Sequence, residues 1–550
     1  MWRGVTHWGG GHPTPGRRRV RTPLLVQSTI LGGMVATALI VGQAAAAFQT
    51  SEQVIDVAAG GSLQQALNSV QPGGTIRLAA GAAYVGTFTL PAKGGTSYIT
   101  ITTRDASLPP AGTRITPAYK PGLATIRSST TSSALVTASG ASYYRIVGVA
   151  FEANQNGSGD IIALGRDAQA TLAEVPHHIE LDRVLIAGNP TVGQKRAVSV
   201  NAAYVSIVDS DIRDIKAAGQ DSQAICGWNT PGPITIRNNY LEAAGENIMF
   251  GGANISIPGV IPSDIVVEDN VLTKNARWRG TSWTVKNLLE LKNARRVMVR
   301  RNVMQFNWEA AQTGFAIVFT PRNSSQTTPW VVVEDVEFSS NIVSHVASVF
   351  NLLGHDDTAP SGQLARILIR DNVVFDVDST LWGGAGLFAQ IGGEPRDITI
   401  DHNTVMHSGN IVTFYSGSYI NASGVRVTGG PILGFTFTNN LMQHNTYGIF
   451  GSGQAYGSGA LDFYAPGAVV QRNVLATDRS MASRYPADNQ FPSVDAFMAA
   501  FYNAAGYDFR LSPAGASYVM AGTDGGNLGA NVTSVPVVAR PALPTGLRIR

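Results

Sequence analysis

Eight times between residues 234 and 475 the chain runs through one pattern: alternating β-branched or apolar residues, two polar residues, an asparagine, and another apolar pair. The copies ITIRNNYL, IVVEDNVL, VMVRRNVM, VEFSSNIV, ILIRDNVV, ITIDHNTV, FTFTNNLM and AVVQRNVL carry Asn239, Asn270, Asn302, Asn341, Asn372, Asn403, Asn440 and Asn473. Successive asparagines are 31, 32, 39, 31, 31, 37 and 33 residues apart. YRIVGVAF, HHIELDRV and VSIVDSDI extend the series backwards, with Val149, Val184 and Ser210 in the asparagine slot. A unit of that length built from short alternating strands cannot bury its apolar face alone, and stacking copies buries it. Equivalent strands of stacked coils run the same way, which predicts parallel sheets around continuous apolar stacks. Asparagine is expected at each corner because it tolerates a left-handed backbone and its amide can bond the copies above and below. A position repeated eight times is structural rather than catalytic.

Composition agrees with one long rod. Only 14% of the 550 residues are charged against 44% hydrophobic, and the 60 glycines follow no three-residue period, which excludes disorder, coiled coil and collagen. The first 47 residues hold Arg3, Arg17, Arg18, Arg19 and Arg21 and no acidic residue; without them 35 positive charges face 37 negative ones, so no basic surface for nucleic acid is expected. Residues 1–47 read as an export leader: a basic stretch, an uncharged run over residues 23–42, and small residues 44–47 before Phe48. The run is also barely long enough for an uncleaved anchor. Both readings place the bulk of the chain outside the cytoplasm, secreted, periplasmic or at the cell surface. The lone Cys226 excludes an intramolecular disulfide, so packing must stabilise the fold.

Residues 62–70 (SLQQALNSV) form an amphipathic helix by their spacing, followed by the strand patterns TIRL and TFTL. A helix placed there covers the open end of a solenoid. Helix, repeat and asparagine corners together resemble right-handed parallel β-helix proteins of the pectate-lyase-like superfamily over residues 52–530. The resemblance implies an all-β, right-handed parallel β-helix of about eleven recognisable coils, spanning residues 48–530. Residues 494–505 read as helical, YDFRLSP and GNLGANV as a last coil, and the Pro-rich residues 531–550 as a tail.

Departures from a repeat become loops on one side of the rod, and sites live there. Residues 253–263, 321–330, 354–363, 417–431 and 452–465 all follow one strand column (AICGW, NIMFGG, NLLELKN, GFAIVFT, SVFNLLGHDD and onward), so they should line up as one groove wall. Residues 274–286 enter from the other side with Arg277, Trp278, Arg279, Trp283 and Lys286, a set suited to stacking on pyranose rings and meeting carboxylate or sulfate. The same tryptophans read equally as anchors that fix the loop.

Charge in the column is sparse and clustered at Glu246, Asn247, Glu290, Lys292, Arg322, His355, Asp356 and Asp357. Alternation sets Glu290 and Lys292 on one face and Leu289 and Leu291 on the other. Such a cluster suits β-elimination from a uronate, which needs the carboxylate neutralised, a base for the proton alpha to it, and an acid for the leaving oxygen. Lys292, Arg322 and His355 are the candidate catalytic groups; Glu246, Asn247, Glu290, Asp356 and Asp357 offer the oxygen donors that Ca²⁺ takes. ELKNARRVMVRRN resembles the corresponding region of β-helix lyases of the chondroitinase B and alginate lyase type, which implies Glu290 as metal ligand and Lys292 as base. One acidic residue precedes the lysine here, at shorter spacing than in that family. Of the polygalacturonase-type pattern only Asp356-Asp357, after Gly354-His355, is present, which keeps inverting hydrolysis as an alternative. A non-catalytic cell-surface or adhesive protein that uses the same groove for carbohydrate binding alone is the competing class, and under each reading the chain is expected to be a monomer.

Overall fold

The computed structural model describes residues 52–535. The leader and residues 536–550 of the tail lie outside that range. Three parallel sheets of 14, 13 and 12 strands wind around one core. Each coil runs from the first sheet through the asparagine corner to the second sheet, then through a second corner to the third sheet. One such coil comprises the strands Ile234–Arg237, Tyr240–Ala243 and Glu246–Phe250. The fold is a right-handed parallel β-helix. Its 14-stranded sheet holds the eleven coils legible in the repeat plus three earlier strands, Val54–Val57, Thr75–Leu78 and Ile99–Thr103, that lack the asparagine pattern. Among the described residues no helix is long and apolar enough to cross a membrane.

Helix α1 (Leu63–Ser69) is N-capped by the Ser62 hydroxyl and buries Leu63, Ala66 and Leu67 against the end of the core. The core itself is a file of Val, Ile, Leu and Phe from all three sheets, including Phe319, Phe338, Phe350 and Phe388.

The asparagine corners stack as the spacing requires, but the left-handed residue is the one before each asparagine. Asn238, Asp269, Arg301, Ser340, Asp371, His402, Asn439 and Arg472 all have φ between 51° and 59°. That residue makes the bend, which leaves the asparagine free to point its amide inward. Each Nδ2 then donates to the next coil's Oδ1, from Asn239 to Asn270 (3.0 Å) through Asn440 to Asn473 (2.9 Å), and to a backbone carbonyl of the preceding coil. Asn489 closes the series beyond Asn473.

The end of the chain also departs from the expected last coil. After the helix Val494–Ala499, the strands Phe501–Asn503 and Asp508–Leu511 pair antiparallel as a hairpin. Residues 494–535 then lie along the outer face of the second sheet, where Phe497, Phe501, Phe509, Tyr518 and Leu528 cover Ile342, Val373, Leu441 and Val474. Residues 531–535, read as tail, belong to this strap: the Asn531 N–H donates to Asp371 and the Ser534 hydroxyl meets Ser340. The apolar outer face of the second sheet is what recruits the strap, and the repeat pattern conceals that face because its outward positions are also Val and Ile.

Candidate active site

Four of the five insertions, those from 253–263 to 417–431, form one wall. Trp330 Nε1 donates to the Val260 carbonyl, Asn323 Nδ2 to the Pro360 carbonyl and Arg426 to the Asp357 carbonyl, so each loop leans on the next. Between this wall and the loops that precede the third sheet runs a groove whose floor is the outward column Cys226, Met249, Glu290, Val318, Asn351, Gln390 and Thr413, one residue per coil. Neighbouring floor positions are thus ~4.8 Å apart, within the reach of one sugar residue.

Glu290, Lys292 and Arg322 share a pocket of about 380 Å³ with Gln312, Thr313, Phe315, Val318, Thr320, Ser324 and Asn351. Leu289 and Leu291 are core residues, so alternation points Glu290 outward, as read from the sequence. Glu290 is nevertheless only 2% exposed. Lys292 Nζ lies 3.3 Å from its Oε1, while Oε2 is buried without a hydrogen-bond partner. Arg322 occupies the next coil, its N–H donating to the Lys292 carbonyl. Gly252, at φ +79°, makes room for the lysine: a Cβ there would stand 2.8 Å from Lys292 Cδ.

Glu246, one coil before Glu290, is completely buried at the end of a polar ladder across four coils. Arg196 bonds Asp160 (2.7 Å) and Gln223 (3.0 Å), and Gln223 Nε2 donates to Glu246 Oε2 (2.8 Å). Glu246 Oε1 has no hydrogen-bond partner and lies 3.6 Å from Lys286 Nζ, which also pairs with Asp221 at 2.6 Å. Burial, with the neighbouring Glu290 and Asp221 charges, pushes Glu246 above the usual carboxylate range against Lys286 and Lys292. Glu246 and Glu290 are thus two buried carboxylates in neighbouring coils, one with raised proton affinity, each with an unpartnered oxygen and a lysine beside it.

The other assignments divide. His355 is absent from the pocket; its ring stacks on Tyr419 (4.2 Å between centroids) within the wall, and burial lowers its pKa. Asp356 is a loop organiser: it accepts from Thr358, from the Asn323 N–H (2.6 Å) and from Arg322 (3.2 Å). Against its burial, those bonds hold its carboxyl below the ordinary range. Asp357 pairs with the same guanidinium. Trp278 is an anchor, buried with Phe306, Trp308 and Trp382, and Lys216 lies over it and over the half-buried Trp283. Arg279 covers Trp382 and Arg277 is exposed, so of that loop only Lys286 reaches the carboxylates. An aromatic buried on one side of a loop satisfies the pattern of a sugar platform without being one, which is why composition could not separate the two.

The five residues assigned to Ca²⁺ do not gather. Ca²⁺ takes six to eight oxygens; Glu246 and Glu290 are neighbours but face lysines, Asp356 and Asp357 hold Arg322, and Asn247 turns its amide to the Leu241 and Thr273 carbonyls. Among the described residues no three His, Cys, Asp or Glu side chains meet in a metal-binding group. Sequence reading also passed over Asp221, Gln223 and Lys274. Gln223 carries a signal in register, since it stands opposite Glu246 one coil earlier.

No family model matches the chain, and no curated protein sequence does. Solved structures that resemble it include a mannuronic acid specific polysaccharide family 6 lyase from human gut microbiota, with TM-score 0.48 and 13% identity over 80% of this chain and 92% of that one. The PL6 family lyase Pedsa3628 from Pseudopedobacter saltans has TM-score 0.40 and 12% identity over 88% and 97%. The catalytic domain of a GH87 α-1,3-glucanase has TM-score 0.45 and 11% identity over 80% and 68%. The chain is distantly similar to these β-helix proteins, and at such identities the likeness is one of fold.

Proposed function

We propose that the protein is an exported, monomeric polysaccharide-degrading enzyme that holds an extended uronate-containing glycan along the third sheet and cleaves it by β-elimination. The observation that carries this reading is the meeting of Lys292, Glu290 and Arg322 in one groove pocket with an unpartnered carboxylate oxygen. Arg322, with Lys286 on the opposite wall, neutralises the sugar carboxylate, so the proton alpha to it becomes acidic. Lys292 takes that proton as the base; the electron pair forms the new C–C double bond and expels the glycosidic oxygen from the β carbon. Glu246, buried beneath the groove with its proton affinity raised, replenishes through Lys286, 3.6 Å from its Oε1, the proton that the leaving oxygen needs.

One observation favours a second reading. A carboxyl of raised pKa beside another carboxylate is also the acid–base pair of glycoside hydrolysis, with Glu246 as acid and Glu290 as base. Incubation with alginate, pectate and glycosaminoglycans separates the two. Elimination yields new reducing ends together with ultraviolet absorbance from the unsaturated product, in equal molar amounts. Reducing ends without absorbance identify hydrolysis. Neither signal from any substrate refutes both readings and leaves a binding protein.

A further inference from the structure

Beneath the groove, and outside both chemical readings, Lys274 is buried to 1% exposure with its ammonium at the corner between the second and third sheets. Five oxygens surround Nζ: the carbonyls of Gly245 (2.7 Å), Asn287 (2.8 Å), Ala244 (2.9 Å) and Ala243 (3.1 Å), and Oδ1 of Asn247 (3.4 Å). Three of these carbonyls are consecutive in the chain and a fourth is the equivalent corner one coil later. Carbonyl dipoles aimed at one point repel each other unless a cation stands there.

We propose that Lys274 is a built-in cation: its ammonium fills an oxygen cage that would otherwise need a metal ion, and so fixes the corner that carries Glu246 without any bound metal. Three features argue for this. The cage holds acceptors and no donor, which suits an ammonium with three hydrogens better than an amine with two. Its radius of 2.7 to 3.4 Å exceeds the 2.3–2.6 Å that Ca²⁺ requires and fits an ion of ammonium or potassium size. The oxygens belong to residues 243, 244, 245, 247 and 287, which lie just before or within the strands bearing Glu246 and Glu290, so the charge acts on the groove through their position. Lys274 is in this sense a positioning residue. The lysines on the two carboxylates and the lysine in the cage together replace the divalent cation that the sequence resemblance implied.

The test reads melting temperature, so it stands or falls independently of which glycan is cleaved. The wild-type chain, treated with a chelator and dialysed, should melt at its original temperature and show no rise on adding Ca²⁺. Lys274→Ala should melt several degrees lower and recover in a saturable way with KCl or ammonium chloride, whereas choline chloride leaves it low. Lys274→Met, whose methyl end fills the cage, should be low and recover with none of them. The proposal is overturned if chelation lowers the wild-type melting temperature and Ca²⁺ restores it, or if the Ala and Met variants respond identically to potassium. Should neither variant fold, lysine ¹⁵N labelling of the wild type decides: a slowly exchanging ammonium signal is expected, and its absence refutes the assignment.

Discussion

Replacing Asn341 by alanine removes a central member of the corner ladder. Its Nδ2 donates to the Val299 carbonyl (2.9 Å) and to Asn372 Oδ1 (3.1 Å), and its Oδ1 accepts from the Asn302 N–H (2.9 Å) and Asn302 Nδ2 (3.0 Å). In the variant, Asn302 Nδ2 keeps its bonds to the Val267 and Arg300 carbonyls, and Asn372 Oδ1 keeps the residue 341 N–H. The Asn302 N–H is left buried and unpaired. With about 1 kcal/mol for each of the four lost bonds and about 1–3 kcal/mol for the orphaned donor, the loss comes to about 5–7 kcal/mol. Serine should cost roughly half of that, because Ser210 shows how the hydroxyl serves in this slot: it accepts from the Val184 N–H (3.0 Å) and donates to the Val208 carbonyl (2.7 Å). A solenoid need not unfold in one step, so the assay is local: hydrogen exchange of peptides across residues 297–346. The order alanine, serine, wild type in rising protection is expected. An alanine variant protected to within about 1 kcal/mol of wild type would refute the ladder as a source of stability.

Four further outcomes are expected. Burial lowers the pKa of His345 and of His407 from 6.5 to about 4, so the folded state binds fewer protons than the unfolded one. The stability this gives is full above pH 6.5 and is lost as pH falls toward 4, by about 3 kcal/mol for each histidine; a double glutamine variant with an equally steep melting-temperature slope in that window contradicts it. Glu246 has the opposite sign: its raised pKa means that ionisation opposes the fold, so Glu246→Gln should gain stability relative to wild type as pH rises above the ordinary glutamate range, and a constant difference between pH 4 and 8 denies the shift. Gly252→Ala should reduce cleavage at least about tenfold while the far-ultraviolet dichroism is unchanged, because the new Cβ displaces Lys292; unaltered cleavage would show that the close approach does not matter. Trp278→Ala should lower the melting temperature, with a loss of about 3–5 kcal/mol for a buried aromatic, and Arg277→Ala should not; equal effects would contradict the anchor assignment.

Periodicity made the rod legible because a two-residue alternation closed by a buried amide leaves a sharp trace, and the same trace located the groove through the loops that interrupt it. The bend before each asparagine escaped because the left-handed position is held by Asp, Arg, Ser, His and Asn alike. The strap escaped because outward Val373 and Val474 look like core residues until something covers them. At the site, register brought Glu290, Lys292 and Arg322 together as alternation required. The partners of a charge are another matter: Asp356 and Asp357 look like free ligands until Arg322 is seen between them, and Lys274 looks like a loop residue until five oxygens are found around its nitrogen. Neighbours brought in from other coils carry no mark in the local sequence.

The central claim is that a glycan lies along the third sheet across Met249, Glu290, Val318 and Asn351. A crystal structure of the Lys292→Ala variant soaked with a uronate oligosaccharide measures that directly. Successive sugars should occupy successive coils, with one ring carboxylate against Arg322 and a glycosidic oxygen over Glu290. Sugar bound elsewhere on the rod, with the groove empty at saturating ligand, would contradict the account.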